Sequence, residues 1–258
     1  MKTYFKLGAA ALFTALSMVA CKEDPIPQSN GTLDIEFVLD FNETPYALQE
    51  EVTGDDGVRF KFETVKFYVS NPELHSENQV ANWQPTLIDF EKSEPQIWSV
   101  PAAAQTYSGI SFGIGLDPTT NATDPSSVEV SNPLSSLQNM YWTWTSKYIF
   151  WKVEGRADTG SGNYDMLFLF HIGMDSFYQR SDELMRSIQV PSGESATLRV
   201  HLDLHDVFYA EGNALDLRTE NETQTMDNMI LAQKVNQNFQ KAFYWLLVVY
   251  KQFALGIV

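Results

Sequence analysis

The residues best suited to chemistry in this chain are its four histidines, His75, His171, His201 and His205. Imidazole is the commonest transition-metal ligand and titrates near neutral pH. The usual catalytic signatures do not accompany them: there is no Gly-rich phosphate loop, no Gly-x-Ser-x-Gly elbow and no His-Glu-x-x-His helix. His171 stands in Phe168-Leu169-Phe170-His171-Ile172-Gly173, at the end of the most apolar stretch. On strand alternation it shares a face with Leu167 and Leu169 and should be largely removed from water. A buried imidazole needs a partner for each nitrogen, and a metal or a backbone carbonyl would serve. His201, Asp203 and His205 alternate with Val200, Leu202 and Leu204, so neighbouring side chains on that face are about 7 Å apart along a strand. That spacing gives one ion two ligands only with help from another strand. Arg199 shares the face, which points instead to ordinary solvent exposure.

The densest aromatic run is Met140-Tyr141-Trp142-Thr143-Trp144-Thr145-Ser146-Lys147-Tyr148-Ile149-Phe150-Trp151. Strand aromatics usually pack a core. The tryptophan pair could also make a sugar-stacking platform or set oxidisable rings beside a redox metal, and the Met140 thioether is a soft ligand suited to copper.

These residues need strands to position them. Leu33, Ile35, Phe37, Leu39 and Phe41 recur every second residue, the period of a half-buried strand. Val58, Phe60 and Phe62 alternate on one parity and Val65, Phe67 and Val69 on the other, which predicts an extra residue near Glu63 and Thr64. Further strands are read at Ile110 to Leu116, at Ile149 to Val153, at Met166 to Ile172 with both faces covered, and from Val200 through Leu204. Helical spacing appears near the C-terminus, in Met226, Met229, Ile230, Ala232, Val235, Phe239, Ala242 and Phe243. The expected fold is all-β, an antiparallel β-sandwich with a C-terminal helix, in one domain over residues 32–243.

The first 20 residues carry Lys2 and Lys6, then an apolar run to Ala20, then Cys21, the only cysteine in the chain. This is the layout of an export signal, too short for a membrane span. Ser17-Met18-Val19-Ala20-Cys21 resembles a lipobox, so Cys21 is the expected site of lipid attachment and residues 21–31 a tether. Lys22-Glu23-Asp24 resembles the signal that sends some outer-membrane lipoproteins to the cell surface. Removal of residues 1–20 leaves 15 of the 17 basic side chains against 33 acidic ones and takes the formal charge from −16 to −18. Nucleic acid is therefore excluded as a partner, since phosphate contacts need a basic surface. Residues 244–258 form an apolar tail interrupted by Lys251 and Gln252, and their status is left open by the sequence.

Taken in order, Phe67-Tyr68-Val69-Ser70-Asn71, Leu87-Ile88-Asp89, Phe112-Gly113-Ile114-Gly115-Leu116-Asp117, Met140-Tyr141-Trp142-Thr143-Trp144 with Tyr148-Ile149-Phe150 and Glu154-Gly155, Phe170-His171-Ile172-Gly173, and Val200 to Phe208 resemble the MbnP-like family. These are exported copper-binding proteins related to the methanobactin periplasmic accessory protein. The resemblance implies a β-sandwich that binds copper, in some members beside a tryptophan oxidised by a partner dihaem peroxidase. It makes His171 the leading copper ligand, Trp142 or Trp144 the modified or site-lining aromatic, and Met140 a further candidate. The chain departs from the family pattern at Lys147, where glycine is common. His205, a candidate ligand on chemistry alone, matches no family motif. The rival reading is a surface adhesion lipoprotein that binds glycan or protein without a metal. Neither reading requires an enzyme.

Overall fold

The structure, a computed structural model, describes residues 30–76, 83–145 and 147–245. The stretch read as an export signal, Cys21 as the expected lipid site, most of the expected tether and residues 246–258 lie outside them. Nine longer strands are present among the described residues: β1 (Asn30–Phe41), β2 (Arg59–Leu74), β3 (Thr86–Asp89), β4 (Gln96–Ala103), β5 (Thr106–Ile114), β6 (Lys147–Asp158), β7 (Met166–Gly173), β8 (Leu184–Gln189) and β9 (Ser195–Asp203). Helix α1 (Leu204–Tyr209) follows directly, then α2 (Met229–Lys241) and the two-residue strand β10 (Phe243–Tyr244). The first strand starts at Asn30, inside the stretch read as tether.

Two sheets face each other. In the smaller, the order is β10, β9, β1 and the short strand Thr44–Pro45, with β4 also on β1. The larger runs Gln179–Arg180, β5, β2, β6, β7 and Glu222–Thr223, with β3, β8 and two further short strands attached. The arrangement is sandwich-like and mostly β, but it is not the antiparallel sandwich predicted. β1 and β9 are parallel from Thr32 opposite Ser195 to Asp40 opposite Asp203, and β7 is parallel to Glu222–Thr223. A period of two reports that one face is buried and is the same for either pairing direction.

The core forms where the alternating faces meet. Leu33, Ile35 and Phe37 are buried while Asp34 and Glu36 face outward. The Phe37 ring meets Phe67 and Phe112 edge-on at 5.5 and 5.6 Å, and each such buried side chain contributes about 1.5–3 kcal/mol. The parity switch in β2 is a bulge, with a register shift against β6 between Phe62 and Thr64. The helix begins at Met229 because the Asn228 side chain caps it, accepting the Leu231 N–H at 3.1 Å. Its buried face, Leu231, Ala232, Val235 and Phe239, packs between the sheets, with Phe239 stacked on Trp151 at 4.3 Å. Met226, Met229 and Ile230 stay exposed.

Two local expectations are corrected. The last strand stops at Asp203 and not at Leu204, because the Asp203 carboxylate accepts the His205 N–H and caps α1. β7 is covered on one face only: Phe168, Phe170 and Ile172 point inward, while Leu167 on the opposite face is 54% exposed.

Candidate functional site

His171 lies on the outer face of β7, opposite Lys152 of β6, with Leu169 opposite Glu154. Its Nε2 is 2.6 Å from Glu154 Oε1, and the Lys152 ammonium is 3.6 Å from the same oxygen. The imidazole is 13% exposed, so it touches water without being immersed in it. The hydrogen bond from His171 holds the Glu154 carboxyl below the usual carboxylate range; burial opposes this, and the nearby Lys152 charge reinforces it. An ionised carboxylate can only accept. Nε2 is therefore the donor in this bond, and Nδ1 has no hydrogen-bond partner among the described residues.

The backbone at this point is tied down. The Thr225 hydroxyl donates to the His171 carbonyl at 2.9 Å and accepts the Gly173 N–H at 3.1 Å. Gly173 is required by close approach: a Cβ there would lie 2.4 Å from the Tyr148 carbonyl and 2.6 Å from the Trp142 ring. Trp142 is thus buried against the strand that carries His171, and Trp144, 57% exposed, sits 5.4 Å from it ring to ring. Met140 is buried in the core, and its carbonyl accepts the Ile149 N–H at 2.9 Å.

The other histidines have separate surroundings. His205, on α1, places Nε2 3.0 Å from Asp55 and Nδ1 3.5 Å from Asp206, with its ring edge-on to Phe41. Burial pulls its pKa down, but the bonds to Asp55 and Asp206 outweigh that and leave it raised. His201 is 8% exposed and not solvated as its parity with Arg199 predicts. Its Nδ1 is 2.7 Å from Asp40 Oδ2, which also accepts the Tyr244 hydroxyl. The sequence reading missed this triad because Tyr244 falls in the tail whose status was left open. His75 is held through its backbone, its N–H donating to the Gly109 carbonyl at 2.9 Å. None of these contacts joins Met140 or His205 to His171. Among the described residues no group of three or more His, Cys, Asp or Glu side chains is arranged to hold a metal ion.

As a copper site, the arrangement at His171 fits in part. It supplies one imidazole nitrogen, oriented by a carboxylate on the opposite ring nitrogen, which is the usual support of a metal-bound histidine. Glu154 is taken up in that support, and a single donor leaves most of a coordination sphere open.

Residues 30–229 match the family model described as MbnP. No curated protein sequence matches the chain. Among solved structures, MbnP from Methylosinus trichosporium is 15% identical, covers 69% of this chain and 77% of its own, and superposes with a TM-score of 0.46.

Proposed function

The chain belongs to the MbnP family, and on that premise we propose that it is a lipid-anchored metal-binding protein of the cell envelope that captures or delivers copper through His171. The observation that carries this reading is the His171–Glu154 pair. Nε2 is fixed at 2.6 Å on a carboxylate, which leaves Nδ1 as a ligand on a face that water reaches. Copper held by few donors exchanges easily, which suits handing the ion on. The proposed role is carriage of the ion. The lipid on Cys21 would hold the domain at the outer membrane, facing the periplasm or the cell surface. A dihaem peroxidase is the proposed partner if Trp142 or Trp144 is oxidised, and Trp144 is the more accessible of the two.

Copper supplied to the metal-free protein should bind at about one ion per chain, measured by competition with a chromophoric chelator. His171→Ala should weaken binding by more than the roughly 10–100-fold expected from loss of a supporting residue alone. Unchanged affinity in that variant sinks the assignment. One observation favours the second reading, a glycan or protein contact without metal: the exposed Trp144 ring beside Trp142 offers a stacking surface. Retention on a glycan array that is lost in Trp144→Ala, with no copper bound, would establish it.

A further inference from the structure

The end of the smaller sheet holds a more acidic constellation. Asp40 and Asp203 are register partners at the C-terminal ends of β1 and β9. Asp203 is fully satisfied. Its Oδ1 accepts the N–H groups of Asn42 and His205 at 2.8 and 2.9 Å, and its Oδ2 accepts that of Glu43 at 2.7 Å. Asp40 is different. It is 1% exposed, its Oδ2 takes the bonds from His201 Nδ1 and the Tyr244 hydroxyl, and its Oδ1 is buried without a hydrogen-bond partner.

A buried carboxylate is costly unless a cation or several donors compensate it. Elsewhere the chain supplies that cation: buried Asp89 has Lys66 at 3.3 Å and buried Asp158 has Arg59. Among the described residues no lysine or arginine pairs with Asp40. Glu43 and Asp203 add negative charge close to Tyr244, whose phenol proton is held tightly by burial and by the bond to Asp40. An unpaired buried oxygen in such a place leaves the carboxylate with a lone pair free for a further ligand.

We propose that Asp40, His201 and Tyr244 form a second metal site, for a first-row divalent cation of borderline softness such as Zn²⁺. A carboxylate and an imidazole nitrogen are donors such an ion accepts, and the Tyr244 hydroxyl, bonded to the carboxylate, orients it. The cation binds the Asp40 carboxylate, whose Oδ1 is free, and takes the place of the proton on Nδ1, which leaves for solvent, while Tyr244 keeps its phenol proton and its bond to Oδ2. The site is independent of copper at His171. It is built from strand ends of the smaller sheet and from Tyr244, which lies beyond the residues that match the family.

The test uses the full-length chain carrying Cys21→Ser, so that no thiol competes, stripped of metal and titrated with Zn²⁺. The melting midpoint should rise, since a ligand that binds only the native state stabilises it. The rise should vanish in Asp40→Asn and His201→Ala and persist in His171→Ala. Tyr244→Phe removes one oxygen and no packing, and should lower Zn²⁺ affinity about 10-fold, a loss of the size seen when a metal site loses one supporting group. The proposal is overturned by the absence of any rise in the parent protein, by its persistence in His201→Ala, by its loss in His171→Ala, or by unchanged affinity in Tyr244→Phe.

Discussion

At the scale of single residues, the paired acids carry the protein's response to acid. The Asp158 carboxyl is drawn down to about 2 by the Arg59 guanidinium and by the Gly160 N–H against opposing burial, with the Gly162 N–H assisting. The unfolded chain holds this group near its ordinary value of about 3.9, so the folded state binds the proton less readily. Its contribution is complete above pH about 4 and is lost as pH falls towards about 2. Asp158→Asn should flatten that part of the stability profile and leave the profile above pH 5 parallel to the parent's, as urea midpoints between pH 2 and 6 would show. His205 runs the other way. Its raised pKa favours the fold below its ordinary titration range and ceases to do so as pH rises through the raised value.

At the scale of elements, one carboxylate joins three pieces of chain. Asn42 and Glu43 both take positive φ, 52° and 57°, in the two-residue turn after β1, the geometry that suits a tight hairpin. Asp203 holds both of their N–H groups as well as capping α1. Asp203→Ala should cost about 2–4 kcal/mol in urea unfolding, combining a lost helix cap with lost charge-assisted bonds. A cost under about 1 kcal/mol would mean that the turn holds itself. Such cross-chain ties are where sequence reading stops. The alternation from Leu33 to Phe41 and the parity switch at Glu63 were legible because one face of each strand is buried. The outer face of β7 was misjudged because Leu167 and Leu169 look like core in sequence, while only register with β6 reveals Glu154 beside His171. Asp40, His201 and Tyr244 span more than 200 positions, so no local pattern could unite them.

At the scale of the whole molecule, the lipid proposed on Cys21 would be what holds an acidic domain at a membrane. Among the described residues no helix is long and apolar enough to cross one. Cys21→Ser should therefore move the protein from the membrane fraction to the soluble fraction and remove the acyl mass from the intact-mass spectrum. Persistence in the membrane fraction would locate the attachment elsewhere.

The parallel pairing of β1 with β9 also dictates an order of events during folding. Thr32 must find Ser195 and Asp40 must find Asp203, so the first strand to emerge waits for most of the chain before one of its long edges is covered. Contacts this distant in sequence slow the search for the native state and leave a strand edge open to other chains meanwhile. β4 lies much nearer in sequence and pairs with the other edge of β1, so it is the edge destined for β9 that stays open during that interval.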